Sequence, residues 1–137
     1  MRTLEIEIEL LVRTYDIDFA GVVSNIVYLR WLEDLRLAAL EACYPLERFL
    51  ADSLYLTLVE TRIKYKRPIR LLDKPIARMR IGAVSKVRIT FNGEIHVGDK
   101  LVTESEQIAC LVDASSGRPK PLPAELFRYF HDTPNSQ

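Results

Sequence analysis

The sequence predicts an α+β fold, with one long helix packed on a five-stranded antiparallel sheet and a short helix near the C-terminus. Three observations carry this. Residues 25–43 repeat apolar side chains at three- and four-residue spacing, the mark of a helix with one buried face. Residues 54–113 alternate apolar and polar side chains at period two through four successive stretches. The connections between these stretches are mostly short, as expected of antiparallel neighbours. At 137 residues the natural reading is a single domain spanning 1–137, with a core of about 4–130.

The first element is a strand, Leu4 to Arg13, with Leu4, Ile6, Ile8, Leu10 and Val12 on one face and Glu5, Glu7, Glu9 and Arg13 on the other. A loop follows to about Ser24. Ser24 or Asn25 suits the N-cap of the long helix, because either side chain can accept a first-turn N–H. The helix runs to about Cys43 and is stopped by Pro45. Its stripe is Tyr28, Leu29, Leu32, Leu35, Ala39, Leu40 and Cys43, opposite Arg30, Asp34 and Glu41. Leu37 and Ala38 widen the apolar surface. A helical turn fits Leu46 to Asp52.

The second strand, Leu54 to Lys66, begins with apolar side chains on both faces and is expected to be buried on both sides there. The third is Ile76 to Val84, with Ala77, Met79, Ile81 and Ala83 inward and Arg78 and Arg80 outward. Ser85-Lys86 turns the chain into a strand from Val87 to Val97. Asn92-Gly93 would end that strand too early, so a bulge is expected at Gly93 and the hairpin at Gly98-Asp99-Lys100. The last strand is Leu101 to Asp113. Pro123 then opens a short helix from Ala124 to about Tyr129, and the tail, Asp132 to Gln137, is polar.

Composition excludes several classes. Hydrophobic residues at 48% and charged residues at 28% are ordinary for a globular chain. The N-terminus has no basic segment followed by an apolar run, so no signal peptide is expected, and no apolar run is long enough to span a bilayer. The expected location is the cytoplasm. Cys43 and Cys110 are expected to be buried free thiols, and with only His96 and His131 as imidazoles no zinc site is expected. His96 falls on a polar strand face. His131 lies in the tail without a catalytic partner.

Formal net charge is zero, yet residues 61–90 hold ten Lys/Arg and one acid, Asp73. This +9 window suggests a polyanionic ligand. It is equally consistent with a solvated face whose cations pair with Glu5, Glu7 and Glu9 across strands. Neutral total charge and the lack of a binding motif argue against nucleic acid.

The stretch richest in chemistry is Tyr15 to Trp31. Two acids, Asp16 and Asp18, stand just ahead of a helix whose N-terminus offers free N–H donors and a partial positive charge. A carboxylate there can catalyse or merely shape a turn.

The segment Tyr15-Asp16-Ile17-Asp18-Phe19-Ala20-Gly21-Val22-Val23 through Tyr28-Leu29-Arg30-Trp31 resembles the signature of the 4-hydroxybenzoyl-CoA thioesterase-like branch of the hot-dog fold. Tyr65-Lys66-Arg67-Pro68, Val97-Gly98-Asp99-Lys100-Leu101, Val112-Asp113, Gly117-Arg118-Pro119 and Pro121-Leu122-Pro123 extend the likeness over about Leu4 to Phe130. It implies a sheet wrapped around the long helix and an acyl-CoA thioesterase, with CoA as part of the substrate and no other cofactor or metal. The second acid, Asp18, would be general base or nucleophile, and the Asn25 backbone N–H would hold the oxyanion.

Many relatives carry histidine where this chain has Asn25, so the position would act through its N–H. The Gly-Asp usual after the Arg-Pro segment is here Leu72-Asp73. Lys64, Lys66, Arg67 and Arg88 become candidates for the phosphates of CoA. Tyr28 is a candidate for lining an acyl tunnel, although it and Trp31 equally suit a core. Glu33 and Arg36 suit an i, i+3 ion pair. An acidic acyl carrier protein is an alternative thioester partner, and a dehydratase or hydratase and a non-enzymatic acyl-CoA binding module are alternative functions. The resemblance also implies a homodimer joined at the edge Leu54–Lys66, with a tetramer open.

Overall fold

The computed structural model describes residues 4–126. In chain order it contains β1 (Glu5–Glu9), a single 3-10 turn (Thr14–Asp16), α1 (Asn25–Glu41), α2 (Leu46–Ala51), β2 (Leu54–Tyr65), β3 (Ile76–Val84), β4 (Arg88–Val97) and β5 (Lys100–Asp113). Residues 124–126 begin the expected last helix. The rest of that helix, His131 and the polar tail lie outside the described residues.

The five strands form one sheet in the order β1-β3-β4-β5-β2, every pair antiparallel. Helix α1 buries Val27, Tyr28, Trp31, Leu32, Leu35, Ala39 and Leu40. These meet Ala77, Met79 and Ile81 of β3, Ile89, Phe91 and Ile95 of β4, and Ala109 and Leu111 of β5 in one core. Burial of this area is the main favourable term of the fold. Leu29, assigned to the buried stripe from its spacing, is instead exposed, and the stripe runs through Val27 and Trp31. No helix among the described residues is long and apolar enough to cross a membrane.

Several boundaries and faces differ from the sequence reading, each for a local reason. Regular β1 ends at Glu9, whose partner is Ile76; the residue before Ile76 is Pro75, which has no N–H to extend the ladder. The alternation in β3 breaks between Ile81 and Val84, so Ala83 is exposed and Val84 takes the inward place. The expected bulge is not at Gly93, which keeps regular pairing with Met79 and Ser105. A Cβ there would stand 2.6 Å from Ser105 Oγ, so the glycine makes room for the Ser105 side chain on β5, while Leu32 Cδ2 of α1 would lie in ordinary contact at 3.5 Å. The β4/β5 register shift falls between Ile95 and His96 instead. The hairpin turns at Gly98 (φ +63°) and Asp99, as expected.

The largest difference concerns β2. Its first half is not covered on both faces: β2 is an edge strand, with Tyr55, Leu58 and Val59 exposed. Both cysteines are free, but Cys43 is only half-buried, and burial pushes its thiol up to about 11.

Candidate active site

The site begins where β1 gives way to the 3-10 turn. Asp16 is buried; its Oδ2 accepts the Arg13 N–H at 2.9 Å and its carbonyl accepts the Ser24 N–H at 2.9 Å. It pins the strand end to the helix entrance. A small hairpin follows, closed by the Ile17–Val23 bridge and the Asp18 N–H to Val22 carbonyl bond at 2.9 Å. At its tip the Gly21 N–H reaches the Asp18 carbonyl at 3.0 Å, with Gly21 at φ +81°. Asp18 Oδ1 accepts the Ala20 N–H at 2.8 Å. Asp18 is therefore exposed and oriented by its own turn, with the second carboxylate oxygen unbonded among the described residues.

The hairpin leads directly into α1. Ser24 occupies the N-cap in extended conformation (φ −69°, ψ 146°), yet its side chain makes no cap hydrogen bond. The first turn holds no acidic residue. The Asn25 and Ile26 N–H groups have no acceptor among the described residues. A helix start left this way presents donors and a positive dipole end to any oxyanion brought to it. The Val23 N–H bonds the Ile69 carbonyl at 2.8 Å, tying the hairpin to the β2–β3 connection. Around this corner Phe19 and Leu72 are nearly fully exposed, and Tyr15 and Ile26 more than half exposed.

Tyr28 lies deeper. It is 3% exposed, edge-on to Trp31 (5.6 Å) and to Tyr65 (5.0 Å), and burial raises its hydroxyl above 10. In the single chain its ring is core, beneath the site rather than open to it.

The four cations singled out from sequence do not form one cluster. Lys64, Lys66 and Arg67 stand together at the end of β2, where Lys66 pairs with Glu104 at 3.4 Å and the Arg67 N–H bonds the Val102 carbonyl at 3.1 Å. Arg88 starts β4 opposite Cys110, six residues along β5 from Glu104 and thus about 20 Å away. Much of the basic window is interleaved with acids. Arg78 meets Glu7 at 2.8 Å, Arg62 meets Glu60 at 2.9 Å and Glu106 at 3.6 Å, and Arg80 is in register with Glu5. Three of the ten cations, Arg62, Lys66 and Arg78, thus have an acid within 4 Å, and the solvated-face reading accounts for part of the charge. On the connection that Val23 holds, the side chains of Arg67, Arg70 and Lys74 have no acid within 4 Å among the described residues, while the Arg70 N–H bonds Asp73 Oδ2 at 2.8 Å. Arg70 and Lys74 are part of the basic window but not among the individual candidates, because the connection has no periodicity to place its side chains.

Glu33 and Arg36 do not form the expected ion pair. Arg36 Nη1 instead donates to Gln107 Oε1 at 2.6 Å. Among the described residues no group of His, Cys, Asp and Glu could hold a metal ion.

A family model described as the thioesterase-like superfamily matches residues 12–130. The chain belongs to this superfamily. Two Arabidopsis thaliana proteins described as chloroplastic acyl-acyl carrier protein thioesterases, ATL3 and ATL2, are each 30% identical to it. The matches extend over 123 and 130 residues, which is 88% and 90% of this chain and 64% and 67% of theirs. The chain thus spans about two thirds of the length of these relatives. Among solved structures, a 1,4-dihydroxy-2-naphthoyl-CoA thioesterase from Synechocystis superposes with a TM-score of 0.83 at 20% identity, covering 93% of this chain and 96% of that one. A DHNA-CoA thioesterase from Staphylococcus aureus gives 0.78 at 22% identity, covering 96% and 86%. These likenesses identify the architecture as the hot-dog fold expected from the resemblance. The thioesterase-like match also spans the Asp18 hairpin and the start of α1.

Proposed function

We propose that the protein is a thioester hydrolase that cleaves an acyl-CoA to free acid and CoA, with Asp18 as its essential acid. The observation that carries this is the exposed, turn-oriented Asp18 carboxylate on the hairpin that feeds an uncapped helix start. In the base route, Asp18 takes a proton from water as the water oxygen attacks the thioester carbon. The carbonyl oxygen becomes an oxyanion and accepts the Asn25 N–H at the positive end of α1. Collapse breaks the C–S bond, and the departing thiolate takes a proton. In the nucleophile route, an Asp18 oxygen attacks the carbon, the thiolate leaves, and water opens the resulting anhydride. An acyl adduct on Asp18 in quenched single turnovers would mark the second route. Neither needs a cofactor beyond the CoA of the substrate. Lys64, Lys66, Arg67, Arg70 and Lys74 would meet its phosphates.

The working unit in this reading is a dimer. Edge strand β2, with Tyr55, Leu58 and Val59 exposed, pairs with its copy and covers what is otherwise an aggregation-prone edge. A carrier-bound acyl group is the second reading, favoured by the description of the two plant relatives and by the cations left unpaired beside the hairpin.

The test is thiol release from a panel of acyl-CoAs and an acyl carrier protein substrate. Asp18→Asn should lower kcat/KM by about 10²–10⁴-fold, the usual worth of a positioned base, with thermal melting unchanged. Full activity in that variant would sink the assignment.

A further inference from the structure

One half-buried cation has no acid to answer it. Arg36 leaves the middle of α1 toward the sheet, and its Nη1 donates to Gln107 Oε1 at 2.6 Å. Gln107, 1% exposed, in turn donates through Nε2 to Thr61 Oγ1 at 3.1 Å. The guanidinium is thus fixed by a neutral relay anchored in β5 and β2. No carboxylate lies within 4 Å of it among the described residues, and Glu33 supplies only a longer-range attraction. Burial pulls its proton affinity below the ordinary arginine range. A partly desolvated guanidinium with most of its donors unused is a costly arrangement unless something else accepts them.

Arg36 borders a groove of about 210 Å³ between α1, α2 and the start of β2. Leu37, Leu40, Phe49, Leu54 and Leu56 make most of its wall apolar, and Glu33, itself exposed to solvent, stands at its border beside Arg36. A largely apolar groove in which one guanidinium is held in place by a neutral partner, with the exposed Glu33 free to turn to solvent, matches a ligand with a hydrocarbon body and a charged oxygen head. We propose that this groove receives the far end of the substrate's acyl group, and that Arg36 selects acyl groups ending in a carboxylate. This rests on the thioester hydrolase reading and deepens it. A carboxylate can take two parallel N–H bonds from the fork, whereas a terminal methyl group leaves the donors empty.

The β2 edge connects the groove to the chemistry. Within one chain Arg36 lies three turns along α1 from Asn25, about 16 Å at 1.5 Å per residue, too far for a short acyl group. Antiparallel pairing of β2 with its copy about the strand midpoint sets Leu54–Leu56 beside the second copy's Lys64 and Tyr65. Tyr65 packs on Tyr28, in the first turn of that copy's α1. An acyl group whose thioester sits at one helix start would therefore extend into the other copy's groove.

The experiment compares matched pairs, hexanoyl-CoA with adipyl-CoA and octanoyl-CoA with suberyl-CoA, by thiol release. Wild type should favour the dicarboxylic member by at least about tenfold in kcat/KM, which is about 1.4 kcal/mol. Arg36→Met should abolish or invert that ratio, and Arg36→Lys, keeping charge without the fork, should retain part of it. The wild-type ratio tests the proposal even if Arg36→Met fails to fold. Equal wild-type rates within pairs, or a preference surviving in Arg36→Met, would overturn the selectivity while leaving the hydrolase reading intact. No thiol release from any member or from other acyl-CoAs would overturn both.

Discussion

The two ends of α1 treat their polar groups in opposite ways. At the C-terminal end Tyr44 is buried, and its hydroxyl donates a short hydrogen bond to the Asp52 carboxylate. The Arg48 guanidinium lies 4.5 Å over the Tyr44 ring, 3.6 Å from Asp52 and 3.0 Å from Glu125. Phe49 packs edge-on against Tyr44 at 4.6 Å. Burial first, and then Asp52, push the Tyr44 hydroxyl up to about 12, so it stays a donor across the working pH range. At the N-terminal end the reverse holds: two backbone donors lack acceptors, the cap residue makes no side-chain bond, and Asp18 keeps a free oxygen. A fold satisfies its polar groups where it needs only stability. Groups left unsatisfied next to a carboxylate are where a ligand can supply the missing partners.

That contrast can be broken at either end. The largest effect belongs to Asp18→Asn, a loss of activity without a loss of stability. Next is Tyr44→Phe at the closed end, which removes the hydroxyl bonded to Asp52 and should cost about 1–3 kcal/mol of unfolding free energy in urea titrations while turnover per folded molecule changes little. If activity falls before stability does, the closed end also serves the reaction. The smallest effect is expected for Arg67→Ala combined with Lys64→Ala. Exposed charges of this kind contribute up to about 1 kcal/mol each, so KM for acyl-CoA should rise several-fold, less at high salt, with kcat unchanged. A fall in kcat alone would place these cations outside CoA binding.

The fold was largely legible because periodicity reports directly on which face is buried: the apolar positions of α1 and of β3 through β5 alternate as packing requires. Where the reading failed, the deciding contact was distant in sequence. Gly93 reads as a bulge until Ser105, from the neighbouring strand β5, is seen to need the space. Glu33 and Arg36 read as a local pair until Gln107, 71 residues on, takes the guanidinium. The start of β2 reads as covered on both sides because no local pattern encodes strand order; its place at the sheet edge came from the family likeness. At the site, residue types alone could not separate Asp16 from Asp18. Their difference is one of burial, Asp16 at 7% and Asp18 exposed, and burial depends on how the turn and hairpin fold. The family likeness supplied Asp18's expected role where residue chemistry left two readings.

The most direct measurement concerns one backbone hydrogen. Asn25 is the first residue of α1, a position that accepts proline, and Ser24 before it already has the extended conformation that proline demands. Asn25→Pro therefore deletes the proposed oxyanion donor while leaving the helix able to form, and Asn25→Ala deletes only the side chain. Steady-state thiol release from the best acyl-CoA substrate should fall by about 10²–10³-fold in Asn25→Pro and stay within about twofold of wild type in Asn25→Ala, both proteins melting cooperatively. Wild-type turnover in Asn25→Pro, or an equal loss in Asn25→Ala, would contradict the assignment of the helix start as the oxyanion site.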